Sequence, residues 1–467
     1  MSLTPAPSVR AELVEAPFFF SDVEKKKRSP STACLRQSLR TGFDKLSTNG
    51  GFLAGVIALL LASCSPPSTK TTLNLWAMGR EGEVIGQLIP AFEKENPGIE
   101  VRVQQLPFTA AHEKLLTAFA GDALPDMAQL GNSWVPEFVA LGALAPLDAQ
   151  VAATPAIDRT DYFPGVWDSN VVAGALYGVP WYVDTRLLFY RRDLLQQAGY
   201  DHPPRDWTEW RAQMRAIKKL VGPRKYAALL PLNEYEPLTT LGLNQPQEML
   251  RDGGRYGNFR GAGFKAALAF YLETFHDKLA PIATNTEISN VWDEFDRGFF
   301  SFYITGPWQI GEFKRRLPAN RQGIWMTAPV PGPDGPGSSN AGGSSLVLFK
   351  ASTKQAAGWK LIEYLSRPAT QIRFHALTGD LPPRRSAWAA PSLREDRYAR
   401  AFADQLLRAK PTPKVPEWER IATEVRLVAE AAAHGRMTVD QAVVEMDKRA
   451  DAILAKRRWM LDQGTAK

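Results

Sequence analysis

The sequence predicts an α/β protein, and three observations carry that expectation. Between residues 71 and 130, short apolar runs of strand length alternate with longer segments whose apolar residues recur at helical spacing. From residue 354 onward the pattern is mostly helical. The 467 residues are 45% hydrophobic and 22% charged, an ordinary globular composition with length for two or three domains.

Taken in order, residues 71–76 alternate as a strand, and residues 83–95 place Val84, Ile85, Leu88, Ile89 and Phe92 on one helical face. Asn96-Pro97-Gly98 stops that helix, and 99–103 reads as a second strand. A helix over 110–120 and a strand over 125–130 complete a strand–helix–strand–helix–strand series, the pattern of a parallel α/β layer. Ligands in such sheets sit beyond the carboxyl ends of the strands, here residues 77–81 and 131–134.

Residues 178–190 begin with a Gly and a Pro and end in the apolar run Leu187-Leu188-Phe189-Tyr190, which suits a fully buried strand. A rigid start, two aromatics, an acid and a buried end suit a connection between two packed bodies. Helix 191–199 closes on Gly199, and Asp206 has the form of a helix N-cap. Strands are expected over 226–232 and 299–304, a loop over 233–236, a helix over 263–275 and a long loop over 332–343. Helices are expected over 354–366, 368–379, 418–433 and 438–461.

The net charge of +7 is less basic than it looks. The first 63 residues hold 8 Lys/Arg against 5 Asp/Glu, so +4 belongs to the remainder, too little for a dedicated nucleic-acid surface. The two cysteines, Cys34 and Cys64, supply neither a disulfide framework nor a cysteine metal site. Five His, at 112, 202, 276, 375 and 434, show no metal-ligand spacing, and no cofactor is expected. Residues 51–62 are apolar but shorter than the roughly 20 residues of a membrane span, and they follow basic residues as a signal-peptide core does. Leu61-Ala62-Ser63-Cys64 resembles the bacterial lipoprotein signal, which implies lipidation of Cys64 and an exported, membrane-anchored protein. Residues 1–49 are read as a disordered prefix or a misassigned start, 50–63 as the signal and 64–71 as a tether.

The segments LNLWAMGREGE (73–83), LIPAFEKENPGIEVRVQ (88–104) and ALPDMAQLGNSWVPEFVALGALAPLD (123–148) resemble the family 1 extracellular solute-binding proteins of ABC sugar importers, the maltose- and trehalose-binding group. The likeness continues through 175–199, 206–218, FYITGPWQIGEF (302–313), NAGGSSLVLFK (340–350) and LPPRRSAW (381–388). It implies two α/β lobes joined by crossovers and closing on a solute: lobe 1 from 72–180 and 340–390, lobe 2 from 185–330 and 391–467, hinges at 178–186 and 327–343. It also implies a di- or oligosaccharide ligand, ABC permease subunits as partners, and a monomer.

Saccharides present hydroxyls and weakly polar CH faces, so a binder needs flat rings and planar charged groups. Strand-end residues of those types are Arg80, Glu81, Asn132, Trp134, Trp181, Tyr182, Asp184, Trp308 and Arg384, with Tyr235 and Trp325 as weaker candidates. The resemblance implies roles for Glu81, Asn132, Asp184, Trp308 and Arg384, and a backbone-contact loop at Gly343 and Ser344. Asn132 departs from the acid common in disaccharide-binding members. The alternative for Trp134 is a core residue capping the strand, for Asp184 a local partner of Arg186, and either Trp181 or Tyr182 faces the ligand. A glycerophosphodiester or polyol binder would need a cationic pocket around Arg80 or Arg384. A cell-surface glycoside hydrolase would need two facing carboxylates, for which Glu81 and Asp184 stand; no enzyme activity is expected.

Overall fold

A computed structural model describes residues 70–288 and 290–464. The prefix 1–49, the signal segment, Cys64 and the tether up to residue 69 lie outside the described residues.

The strands that build the two main sheets are, in chain order, β1 (Thr71–Met78), β2 (Ile99–Leu106), β3 (Met127–Gly131), β4 (Val179–Asp184), β5 (Leu187–Arg191), β6 (Ala228–Leu229), β7 (Phe302–Thr305), β8 (Trp325–Ala328) and β9 (Gly342–Leu348). The first sheet runs β2–β1–β3–β9–β4, the second β8–β5–β7–β6. Parallel neighbours need long crossovers, and here they have them. Helices α1 (Gly79–Val84) and α2 (Ile89–Glu95) separate β1 from its parallel partner β2, and α3 (Phe108–Ala120) separates β2 from β3. β9 and β4 then add antiparallel strands.

The central strands of each sheet are buried on both faces. On β9, Leu346 and Leu348 join one apolar cluster while Val347 and Phe349 face another, the two-residue alternation of a strand. The expected apolar run does the same in the second sheet. Leu188 and Tyr190 pack under α4 (Trp207–Val221) and α6 (Ala262–His276), and Leu187 and Phe189 face the cluster of Phe313 and Trp325. The Asp206 carboxylate accepts the Glu209 N–H at 2.8 Å, starting α4 as expected.

Several boundaries moved. The single helix expected over 83–95 is α1, a 3₁₀ turn (Ile85–Gln87) and α2, because Pro90 at the first turn begins a new helix. Only Ala228–Leu229 of the strand expected at 226–232 pairs in the sheet. The N–H groups of Ala227 and Leu232 bond to Leu279 and Ala283 instead. Residues 233–236 are not all loop, since α5 (Glu236–Leu243) starts there. After α7 (Trp308–Arg316) the expected loop 332–343 contains a two-residue bridge, Ser339–Asn340 against Ala409–Lys410, and the start of β9. Helices α8 (Gln355–Leu365), α9 (Pro368–Thr378) and α10 (Trp418–Ala433) match expectation, and the last predicted helix breaks at Leu454 into α11 (Val439–Ile453) and α12 (Ala455–Asp462).

Residues 178–190 form two strands, not a turn and one strand. β4 belongs to the first sheet and β5 to the second, so only Thr185 and Arg186 lie between the lobes there. Residues 329–341 make a second passage, from β8 back to β9.

Candidate functional site

The carboxyl ends of β1, β3 and β4 and the amino end of β9 meet at one edge of the first sheet. Gln129 on β3 organises its interior. Its Oε1 accepts the Met78 N–H at 2.7 Å, and its Nε2 donates to the Tyr182 hydroxyl at 3.1 Å and to Ser344 Oγ at 3.4 Å. The Ser344 hydroxyl also donates to Tyr182 at 3.0 Å. Asn132 braces the passage into β9: Nδ2 donates to the Gly342 carbonyl at 3.2 Å, and Oδ1 accepts from Ser345 Oγ at 2.8 Å. Gly343 has φ +108, and a Cβ there would lie 2.3 Å from the Tyr182 carbonyl oxygen, so this position requires glycine.

Around that edge stand carboxyl groups. Burial pushes the Glu81 carboxyl above its ordinary range, while hydrogen bonds from Asp380 and Tyr182 pull it back. Asp380 rises well above, through burial and through its neighbour Glu81. Two buried acids in contact favour sharing a proton. Burial also raises Asp184, and Arg186 opposes the rise.

The Arg186 side chain spans the lobes. Its Nη1 donates to Asp184 Oδ1 at 3.1 Å and its Nη2 to Glu236 Oε1, on α5, at 2.8 Å. Its guanidinium carbon lies 4.8 Å from the centroid of the Trp308 ring. Burial works against the charge of Arg186, but Asp184 and Glu236 raise its pKa above the ordinary value, so it stays charged. Trp308 opens α7 directly beyond β7 and is 37% exposed, which leaves ring surface free beside these charges. Further along, the Tyr235 hydroxyl donates to Glu419 Oε2 at 3.1 Å. Burial raises Glu419, and hydrogen bonds from Ser133 of the first lobe and Tyr235 of the second lower it.

Of the residues expected from sequence, the structure brings Glu81, Asn132, Tyr182, Asp184, Tyr235, Trp308, Gly343 and Ser344 to this junction. Five others lie elsewhere. Trp181 is 1% exposed and stacks on Phe374 of α9 at 4.4 Å, inside the first lobe. Trp134 is core, packed on His112 at 4.8 Å. Trp325 is core, stacked on Tyr398 at 3.7 Å. Arg384 is buried: Nε donates to Asp161 at 2.6 Å and Nη1 to the carbonyls of Ala156 and Ser366. Arg80 is on the surface, 2.9 Å from Glu83. A cationic pocket around Arg80 or Arg384 is therefore not formed. Sequence reasoning missed Arg186, Glu236, Asp380, Gln129 and Glu419. Arg186 had a signal in Asp184-Thr185-Arg186, read there only as a local pair.

A separate groove of about 550 Å³, lined by Gln245, Gln247, Met249, Pro411, Pro413 and Lys414 among others, has no aromatic residue in its wall and none of the residues above. Among the described residues no group of three or more His, Cys, Asp or Glu is placed to hold a metal ion. What the junction offers is an exposed indole face and hydrogen-bond acceptors with their counter-cation, set where the two sheets are linked.

Comparison with known proteins identifies the family and the fold. A sugar-binding protein, MalE of Xanthomonas citri, is 57% identical and superposes with a TM-score of 0.82 over 84% of this chain and 100% of its own. The GacH receptor of Streptomyces glaucescens, seen unliganded and with acarbose, has the same fold at 24% identity, TM-score 0.71, over 83% of this chain and 99% of its own. The galactooligosaccharide-binding protein of Bacillus subtilis is 22% identical over 415 residues, 84% of this chain and 93% of its own. The sequence profile of bacterial extracellular solute-binding proteins matches residues 78–372. The chain is therefore a member of the bacterial extracellular solute-binding protein family.

Proposed function

We propose that this protein captures a di- or oligosaccharide outside the cytoplasmic membrane and delivers it to the permease subunits of an ABC importer. The observation that carries the reading is the Trp308 face set beside Asp184, Arg186 and Glu236 at the junction of the lobes. Ring stacking suits the CH face of a pyranose, and carboxylates accept its hydroxyl hydrogens. The 57% identity to a sugar-binding protein supports it.

Ligand contacts from both lobes stabilise a closed arrangement over an open one, with Thr185-Arg186 and residues 329–341, inside the expected hinges 178–186 and 327–343, as the connections that flex. The sheet memberships of β4, β5, β8 and β9 support a lobe 1 that reaches Asp184, beyond the expected 180, and resumes at β9, with a lobe 2 that holds the strands from Leu187 to Ala328. The packing of α10 and α11 with Leu188 and Tyr190 supports the carboxyl-terminal helices as part of lobe 2. The ligand contacts assigned are Glu81, Tyr182, Asp184, Tyr235 and Trp308, with Asn132, Gly343 and Ser344 shaping the backbone. The permease docks on the outer lobe surfaces. The protein works as a monomer anchored through a lipid on Cys64; a Cys64→Ser protein should shift from the membrane to the soluble fraction.

The deciding experiment is calorimetry against maltose, trehalose, galacto-oligosaccharides, diacetylchitobiose and a glycerophosphodiester. Binding of a neutral saccharide supports the reading, and binding of only the phosphodiester overturns it. Recovering the saccharide uncleaved after prolonged incubation separates a carrier from a glycoside hydrolase.

A further inference from the structure

We propose that Arg186 sets the charge class of ligand this site accepts: it keeps a carboxylate-lined junction suited to uncharged saccharides, and without it the same site takes an ammonium-bearing sugar. The inference rests on the saccharide reading above.

Arg186 stands in the two-residue link between the sheets, 6% exposed. Its backbone N–H donates to Asn340 Oδ1, in the second passage between lobes, at 3.1 Å. The guanidinium joins Asp184 to Glu236 and lies over Trp308. Its Nε is buried without an acceptor, a donor that a ligand hydroxyl would satisfy. The groups whose charge it meets are Asp184 from β4, Glu234, Tyr235 and Glu236 at the start of α5, and Tyr303 from β7. Behind Asp184 stand Glu81 and Asp380, and beyond Glu236 stands Glu419. Other basic groups have partners of their own: Arg80 pairs with Glu83, His112 with Glu137 and Arg384 with Asp161.

With Arg186 in place, Asp184 and Glu236 are compensated and still one-quarter exposed, free to accept hydroxyl hydrogens. Without it, the partly buried carboxylates lose the cation that compensates them; a neutral sugar does not restore it, whereas an ammonium does and is attracted to them. Lysine would not replace it, because a point charge neither bridges two carboxylates with a planar fork nor stacks on an indole.

The test compares wild type, Arg186→Lys, Arg186→Met and Arg186→Met/Glu236→Gln on maltose and 6-amino-6-deoxymaltose by calorimetry at pH 7. The wild type should prefer maltose. Arg186→Met should lose about tenfold on maltose, the size of one charge-assisted hydrogen bond, and should prefer the amino sugar. The double variant should fall between them, and Arg186→Lys should lose maltose affinity with less reversal. A folded Arg186→Met that keeps the wild-type preference overturns the proposal. Should Arg186→Met fail to fold, Asp184→Asn/Glu236→Gln provides the mirror test, leaving Arg186 uncompensated; it should gain a glucuronide, and no gain counts against the proposal. The carboxyl ¹³C titration of Asp184 needs no ligand and should move upward in Arg186→Met or Arg186→Lys. A wild type silent to every saccharide would end the sugar reading, while that titration still judges Arg186.

Discussion

Gly306→Ala tests the Trp308 platform without removing any atom that would touch a ligand. A Cβ at Gly306 would lie 1.7 Å from Cζ3 of the Trp308 ring and 2.4 Å from Cε3 and Cη2. No packed pair of carbons tolerates that, so the indole must swing away. Gly306 is not in the left-handed region, so alanine adds no backbone strain of its own. The ring is partly exposed and can rotate toward solvent, which confines the stability cost to its lost contact with Arg186, below about 1 kcal/mol.

Binding should suffer more visibly. Aromatic stacking contributes about 1 kcal/mol beyond area burial, so the saccharide Kd should weaken roughly fivefold. Trp308→Ala should weaken it at least as much, and the double variant no further than Trp308→Ala alone, because the added methyl acts only through the ring. Calorimetry on the saccharide that the wild type binds, with thermal unfolding alongside, measures both effects. An unchanged Kd in Gly306→Ala, or losses that add in the double variant, would refute the placement of the ring in the site.

Three further outcomes are expected. Trp181→Ala should lower stability by about 3 kcal/mol or more, the scale for emptying a large aromatic from a core, with saccharide affinity of the folded protein retained; chemical denaturation and calorimetry check the two halves. Arg384→Met should cost about 3 kcal/mol, again without changing affinity, since it removes the cation from the largely buried Asp161 carboxylate, which among the described residues keeps only Ser386 as a partner, and the donor from the Ala156 and Ser366 carbonyls. Asp380→Asn should stabilise the protein near neutral pH. The Asp380 pKa is raised in the fold, so the folded state holds a proton that the unfolded chain releases above about 3.9. That contribution is complete below 3.9 and is lost as pH rises through the folded value. The melting-temperature gain of Asp380→Asn over wild type should therefore grow with pH from about 4 and vanish below it; a gain independent of pH would contradict the raised carboxyl.

What the sequence made legible were the features specified locally. The run Leu187–Tyr190 announced a strand buried on both faces, Asp206 announced a helix start, and Trp308 after Gly306-Pro307 announced a ring at a strand end. The choice between Trp181 and Tyr182 was not local. Ser344 pairs with Tyr182 while Ser345 pairs with Pro180, so Trp181 is an extra residue in the ladder. A bulge suspends the alternation that would send neighbours to opposite faces, and here both rings approach Phe374. It also accommodates Pro180, which lacks the N–H a regular ladder would use. Arg384 and Arg186 show the same limit for charges. Each is an arginine beside plausible local partners, yet the carboxylate that fixes Arg384 is 223 residues away, and the one that draws Arg186 across the junction is 50 residues away. One arginine became a structural brace and the other a junction residue because of where the fold set those acids. A planar charged group identifies a capable side chain, whereas its assignment to core or cleft depends on a distant carboxylate that no local spacing announces.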